Sequence, residues 1–297
     1  MALKSEGLEV ARRRLAQAEG SFRDAIGRDR RDTYAYQSLA ELYLGWAQRT
    51  DDPSEQAAYL AKCEETIGTG LLHARQRDEL WIVSAKVQRW IGDKPAAIES
   101  LKNAGASPVA MYLLGRAYLR ANEPDKARAV LEKVLEAEPE QYRAALSYAE
   151  CLLRLGEPFS TALAALRLAE LYGLRDPEFV AMFGGLLFLS EEHSEAVAVF
   201  NRGKRGDIPI EDRRRISFRP NQQGHPGTPL RLKGIVTDVK AGYLWLQVAG
   251  MPHIFAPRTH VEGRPARRGQ SIEFQLAFNA EGAIGLELVS AARLSAP

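Results

Sequence analysis

Residues 108–139, PVAMYLLGRAYLRANEPDKARAVLEKVLEAEP, decide the fold of this chain. Met111, Leu114, Gly115 and Tyr118 recur at the i, i+3, i+4 and i+7 spacing of a helix, and Ala127, Leu131 and Val134 mark a second one. Gly115 and Ala127 are small enough to let two helices approach closely, while Tyr118 and Leu131 fill the groove between them. Pro139 then stops the second helix.

Looser copies recur on both sides with a period of about 34 residues. Tyr36, Leu39, Ala40 and Tyr43 open one copy; Trp81, Ser84, Ala85, Gly92, Ala97 and Leu101 form another. A further copy holds Ala145, Tyr148, Ala149, Leu152 and Gly156, and the last holds Gly184, Leu187, Ala196 and Phe200. The first is lengthened around Thr50 to Ser54 and the second shortened near Asn103 to Ser107, so local curvature should vary there. Ala18, Phe22 and Ala25 have the spacing of a second helix of a pair, but Leu3 to Arg14 lacks the pattern of a first. Two explanations stand: an atypical capping repeat, or an array whose beginning lies upstream.

The spacing resembles that of tetratricopeptide repeats over roughly residues 10 to 205. The resemblance implies a solenoid that binds a peptide or protein surface in a groove lined by the first helix of each pair, and it implies no chemistry. The candidate groove residues are Tyr34, Gln37, Gln88, Tyr112, Arg116, Arg143 and Glu150, each of which also reads as ordinary solvated surface.

Composition agrees with a globular protein: 297 residues, 45% apolar and 26% charged. No apolar run approaches the ~20 residues needed to span a bilayer, and Met1 to Arg14 carries charges where a signal peptide would be apolar, so the expected location is cytoplasmic. Cys63 and Cys151 sit in different repeats without a metal-binding companion and read as buried thiols. The net charge of +2 hides an asymmetry. Up to Asn201 there are 25 basic against 30 acidic side chains, and from Arg202 onward 15 against 8. A basic third attached to an acidic remainder suits a polyanion-binding appendage, although a solubilising linker would also produce it.

From Thr228 the period becomes two. Ile272, Phe274, Leu276 and Phe278 alternate with Ser271, Glu273, Gln275 and Asn279; Ile284, Leu286 and Leu288 repeat the alternation. Earlier strand-like runs cover Leu230 to Val239, Tyr243 to Val248 and His253 to Ala256. Five short strands in about 65 residues predict a small closed barrel, which leaves no exposed edge. In Tyr243-Leu244-Trp245-Leu246-Gln247-Val248 the alternation turns Leu244, Leu246 and Val248 inward and places Tyr243 and Trp245 outside. Exposed flat side chains offer a stacking platform for bases; packing against the last repeat is the other use for them.

This segment resembles an oligonucleotide-binding-fold domain of the cold-shock or S1 branch. Gly234-Ile235-Val236, Gly242 to Leu246, Ile254-Phe255 and Gly269 to Phe274 fall in the expected order. Tyr243, Trp245 and Phe255 match its nucleic-acid-contacting aromatics. Pro257-Arg258 replaces the expected His and Phe, and Thr237-Asp238-Val239 replaces Lys-Trp-Phe. The resemblance implies binding of single-stranded nucleic acid, RNA foremost, through Tyr243, Trp245, Phe255, Arg258, Lys240, Arg267 and Arg268. Arg258 could stack in place of an aromatic ring.

The expected architecture is thus multidomain α and β: a helical repeat domain over residues 1–205, a basic Pro/Gly-rich linker over 206–229, and an oligonucleotide-binding-like barrel over 230–297. The basic stretch from Arg202 to Arg219, which runs into this linker, carries Lys204, Arg205, Arg213, Arg214, Arg215 and Arg219; its arginines would either reinforce phosphate binding by the barrel or dock on the acidic solenoid, and its Arg-Arg-Arg-Ile-Ser run ending at Ser217 resembles a basic kinase site. No phosphate loop, His-Glu-x-x-His or nucleophile elbow occurs, no metal or cofactor is expected, and Glu191, Glu192, His193 and Glu195 read as a polar turn between helices. His253 and His260 flank the third strand without a carboxylate placed for acid–base work. The leading functional expectation is a non-enzymatic adaptor joining a protein partner to single-stranded nucleic acid. The alternative is a sensor region of a larger signalling or defence nucleotide hydrolase, with both domains recognising protein.

Overall fold

In the computed structural model, residues 2–205, 209–222, 225, 227–261 and 264–290 are described, with side chains from Val10 onward except that of Arg205. The chain divides into two compact units, residues 1–123 and 124–297.

The first unit is helical: α1 (Ala2–Arg28), α2 (Thr33–Ala47), α3 (Pro53–His73), α4 (Asp78–Ile91), α5 (Lys94–Asn103) and α6 (Pro108–Arg120). Their starts follow local chemistry. The side chains of Asp32, Asp52, Asp93 and Ser107 accept backbone N–H bonds at the first turns of α2, α3, α5 and α6, and proline occupies one of the first two helical positions of the last three. Leu39, Tyr43, Cys63, Ile67, Val83 and Val87 form the core shared by α2, α3 and α4. A smaller cluster of Ile82, Ala85, Leu101, Ala104 and Ala110 joins α4, α5 and α6.

Helical pairs continue in the second unit as α7 (Pro124–Ala137), α8 (Tyr142–Arg154), α9 (Phe159–Arg167), α10 (Glu170–Gly173), α11 (Pro177–Leu189), α12 (His193–Arg205) and α13 (Ile210–Arg214). The strands follow: β1 (Arg231–Lys240), β2 (Tyr243–Gln247), β3 (Ile254–Ala256), β4 (His260–Val261), β5 (Arg264–Pro265), β6 (Ser271–Asn279) and β7 (Gly282–Ser290). Five of them close a mixed barrel in the order β1-β2-β3-β7-β6, with β6 returning to β1. All neighbours are antiparallel except β3 and β7, which run parallel with Phe255 opposite Ile284. Val236, Leu244, Leu246, Ile254, Ile272 and Phe274 are buried in its core. The short β4–β5 ribbon is an addition that the sequence does not announce.

One apolar cluster runs without a break from Ala145 in α8 to Leu288 in β7. Its junction is aromatic: Phe278 of β6 lies 5.5 Å from Phe188 of α11, 6.3 Å from Phe200 of α12 and 5.8 Å from Phe218, measured between ring centroids. Helix α11, PEFVAMFGGLLFL, is accordingly buried on every side from Phe179 to Phe188.

Several expectations change in detail. The N-terminal stretch is one helix of 27 residues: Ala18, Phe22 and Ala25 sit in the second half of α1, and Leu3 to Arg14 belongs to its first half. No proline interrupts that stretch, so nothing breaks it. The lengthening after Tyr43 lies mainly in the 21 residues of α3, and the shortening before Ser107 in the 10 residues of α5. The clearest repeat straddles the boundary between the units, with Gly115 and Tyr118 buried in α6 and Ala127 and Leu131 buried in α7. In β6 the alternation of burial ends at Phe274, after which Gln275, Ala277 and Asn279 are buried too.

At the end of β6 the basic stretch is hydrogen-bonded to the barrel. Ser217 and Phe218 donate backbone N–H bonds to the Phe278 carbonyl, Phe278 N–H donates to the Phe218 carbonyl, and Ala280 N–H donates to the Arg213 carbonyl. Asn279 Nδ2 donates to the Arg214 carbonyl at 3.3 Å. Gly224 and Pro226 of the same segment lie outside the described residues.

Candidate functional site

Strand register builds the site. β2 pairs with β1 on one side, where Tyr243 faces Lys240, and with β3 on the other, where Trp245 faces Phe255. Leu244 and Leu246 point into the barrel and are fully buried, so the pleat turns Tyr243 and Trp245 to the outer face. Phe255 shares that face. The three rings form a cluster, with centroids 6.3 Å apart for Tyr243 and Trp245, 5.3 Å for Tyr243 and Phe255, and 5.7 Å for Trp245 and Phe255. They are half-buried because they cover one another, where the alternation alone would leave Tyr243 and Trp245 freely exposed.

The rings line a cleft of about 600 Å³. Its other walls include Lys204 of α12, Arg214 at the end of α13, Ile216, Pro257 and the start of β7 from Gly282 to Ile284. The Arg214 guanidinium lies 3.6 Å from Glu281, and both flanking groups are solvent-accessible, so the pair is weak and can yield to another anion. Flat apolar walls with two cations at the margin suit a planar ring joined to an anionic group.

The remaining expected contacts of the barrel separate from this cleft. The Lys240 ammonium is 2.9 Å from the Asp238 carboxylate, and this hydrogen bond holds the Asp238 carboxyl below the usual range and raises Lys240. Arg268 adds a weaker downward pull on Asp238. Arg258 lies in a neighbouring hollow with Gly242, Thr259, His260 and Glu287. Arg267 and Arg268 are exposed on the turn before β6 and do not line the cleft. His253 shares a shallow hollow with Thr237, Asp238 and Trp245, whereas His260 bonds to Thr259 at 3.1 Å. Thus Tyr243, Trp245 and Phe255 come together, and Arg258, Arg267 and Arg268 do not join them. Lys204 and Arg214 line the cleft but were not among the expected site residues, although the sequence offered the arginines of the basic stretch as reinforcement of phosphate binding. Their only signal was membership of the basic stretch, which does not tell one arginine from the next.

The candidate groove residues of the repeats fall in both units. In the first, Tyr34 is 72% exposed and Gln37 half-buried. Gln88 Oε1 accepts a hydrogen bond from Ser100 at 2.8 Å, which ties α4 to α5. Arg116 donates to the Tyr112 hydroxyl at 3.1 Å and its guanidinium lies 5.9 Å from that ring. In the second, Arg143 donates to the Tyr142 hydroxyl at 3.1 Å, and Glu150 pairs with Arg154 at 2.5 Å.

Of the expected polar turn, Glu191 and Glu192 precede α12 while His193 and Glu195 belong to its first turn, and Arg167 of α9 pairs with Glu192 at 2.5 Å and with Glu195 at 2.9 Å. The hydrogen bond from Arg167 is the main cause holding the Glu195 carboxyl below its ordinary range. Among the described residues no group of three His, Cys, Asp or Glu side chains is placed to hold a metal ion, and no helix is long and apolar enough to cross a membrane.

Residues 112–158 match the model of the tetratricopeptide repeat family. No curated protein matches the chain. Among solved structures it is similar to PilF of Pseudomonas aeruginosa, at 18% identity over 68% of this chain and 88% of that one, with a TM-score of 0.52. It is also similar to a tetratricopeptide repeat protein of Parabacteroides merdae, at 15% identity over 70% and 79% of the two chains and a TM-score of 0.47. A thermophilic protein of the same repeat type from Thermus thermophilus shares 22% identity over 49% and 76%, with a TM-score of 0.43. The helical part therefore has a tetratricopeptide-type fold, and a closed mixed barrel follows it.

Proposed function

We propose that this protein is a non-enzymatic adaptor whose helical repeats hold a protein partner and whose barrel binds single-stranded nucleic acid, RNA foremost. Repeats of this kind are interaction scaffolds that present side chains without chemistry of their own. The observation that carries the second half of the reading is the cluster of Tyr243, Trp245 and Phe255 facing one cleft beside Lys204 and Arg214. The strand order, with the third strand parallel to the last, supports kinship of the barrel with oligonucleotide-binding folds. Stacked bases contribute about 1–3 kcal/mol each, and the cations add a salt-dependent attraction to phosphate.

A fluorescent uridine 12-mer and its thymidine counterpart, titrated at rising salt, test this half. Binding should weaken linearly with the logarithm of salt concentration. Tyr243→Ala combined with Trp245→Ala should lower affinity about tenfold or more, the equivalent of about 1.4 kcal/mol. Absence of binding at low salt, or indifference to the double substitution, would sink the nucleic-acid half. A second reading has both parts recognising protein, as a sensor region of a larger nucleotide hydrolase would. The mutual packing of the three rings favours it, because they already bury part of one another without a ligand.

A further inference from the structure

The cleft beside the three rings takes its second wall from the helices that precede the barrel, and the joint between them is built residue by residue. Gly203, near the end of α12, is buried, and a Cβ there would stand 3.0 Å from the Ala280 carbonyl and 2.9 Å from Val180. Glycine is what lets this helix back onto the turn between β6 and β7, which brings the next residue, Lys204, to the cleft. Arg213 turns back and donates to the Lys204 carbonyl, tying α13 to α12. The Arg213 carbonyl accepts from Ala280 N–H and the Arg214 carbonyl from Asn279 Nδ2, so both backbones are anchored on the turn, yet only the Arg214 side chain lines the cleft. The turn is fixed as well, because Asn279 Oδ1 accepts from the N–H groups of Glu281 and Gly282 at 2.8 and 3.1 Å. What remains adjustable is the side-chain pair itself, Arg214 with Glu281 at 3.6 Å.

We infer that Glu281 is a built-in competitor for the ligand's phosphate: its carboxylate holds Arg214, and an entering nucleotide must displace it to gain the guanidinium. This rests on the reading of the cleft as a nucleic-acid site and adds the residue that sets its threshold. Glu281 itself lines the cleft, so a phosphate reaching Arg214 would stand beside a like charge, and two anions at that range repel. One of them must leave. Tethering to the same turn gives the carboxylate an advantage over any dissolved anion. A polyanion without bases has only its charge to set against that advantage, whereas a nucleotide also stacks on Tyr243, Trp245 and Phe255, and stacking supplies the difference. The cleft thus answers to base and phosphate together. Glu287 does not share this role, since it lies in the neighbouring hollow and pairs with Arg231. Nor is the Arg214–Glu281 pair a prop of the fold: the Arg214 side chain is 68% exposed, where an ion pair adds little to stability.

The test is the fluorescence anisotropy of a labelled uridine 12-mer titrated with the full chain as wild type, Glu281→Gln, Arg214→Gln and the double variant. Glu281→Gln should tighten binding about two- to fivefold, the range of a part-exposed ion pair, and Arg214→Gln should weaken it. In the Arg214→Gln background the gain from Glu281→Gln should vanish, because Glu281 acts through that guanidinium. Tripolyphosphate should displace the 12-mer poorly from the wild type and at about two- to fivefold lower concentration from Glu281→Gln. The backbone bonds of the turn do not involve the Glu281 carboxylate, so the melting temperature should not change; should Glu281→Gln fail to fold, Glu281→Ala repeats the cycle. Binding that is unchanged or weaker in Glu281→Gln, or a gain of equal size with and without Arg214, overturns this inference and leaves the nucleic-acid reading standing. Absence of 12-mer binding at low salt by the wild type and Glu281→Gln alike overturns both.

Discussion

Helices α4 and α11 are built from the same kind of repeat and put to opposite uses. In α4, Leu80, Ile82, Val83, Ala85 and Val87 are buried, while Arg89 is exposed and the side chains beside it border a cavity. Every residue of α11 from Phe179 to Phe188 is buried, because α9 and α12 take one side and the barrel, through Phe278, takes another. An amphipathic repeat helix leaves its polar face to solvent; one that is apolar all round is buried by neighbours on every side. The α4 face of the first unit thus stays open to solvent, and the helices of the second unit support the barrel and supply Lys204 to its cleft.

The strongest way to break this contrast is at Phe278, whose ring joins those of Phe188, Phe200 and Phe218. Phe278→Ala should cost about 3–5 kcal/mol in urea unfolding of the second unit, the range for deleting a buried aromatic side chain. An effect below about 1 kcal/mol would mean that barrel and helices do not share a core. A pair of glycines gives a change of sign. A Cβ on Gly185 of α11 would stand 2.7 Å from Phe218 and 2.9 Å from Phe278, whereas one on Gly45 of α2 would meet nothing within 4 Å. Gly185→Ala should therefore destabilise by about 1–2 kcal/mol, overpacking outweighing the better helix propensity, and Gly45→Ala should stabilise by about 0.5–1 kcal/mol. Thermal melts of the two variants decide this directly, and equal signs would refute the distinction.

Much of this was legible in the residues. Spacing located the helix pairs, and the alternation in Ser271–Asn279 and around Tyr243 located the barrel strands to within a residue or two. The burial of Gln275, Ala277 and Asn279 was not legible; at Asn279 it follows from the basic stretch, whose hydrogen bonds to the end of β6 use mainly backbone groups that any residue carries. The same holds for the cleft. Tyr243 and Trp245 announce themselves by parity, but the choice of Lys204 and Arg214 over Arg258, Arg267 and Arg268 depends on where α12 and α13 run. The apolar composition of α11 was visible as sequence. That it signals a second packing partner follows only when β6 is seen against it.

Surface ion pairs should matter far less than these cores. Arg167→Ala removes the partner of Glu192 and Glu195, whose side chains are about two-fifths exposed, and should cost under about 1 kcal/mol in the second unit. Lys86→Ala, which frees the equally exposed Glu41 in the first, should cost no more. Chemical denaturation at two salt concentrations checks both, and a loss above about 2 kcal/mol at Arg167 would make its link between α9 and α12 a core element of the fold.

The two cysteines compare the units in alkali, with no effect expected near neutral pH. Burial pushes the Cys63 thiol up to about 12 and the Cys151 thiol up to about 11. Cys63 Sγ–H donates to the Ala40 carbonyl and Cys151 Sγ–H to the Pro124 carbonyl, bonds that only the protonated forms make. A thiol with a raised folded-state pKa binds its proton more tightly in the folded chain. Its contribution is complete below the unfolded value of about 8.5 and is lost as pH rises through the folded one. Stability should therefore be flat from pH 7 to about 8.5 and then fall toward pH 11–12, and Cys63→Ala with Cys151→Ala should flatten that decline. In the folded protein at pH 8 iodoacetamide should label neither thiol, since the thiolate is the nucleophile and is scarce at both sites. On raising the pH, Cys151 should react before Cys63; the reverse order would mean that the core of α2, α3 and α4 opens more readily than that around α8.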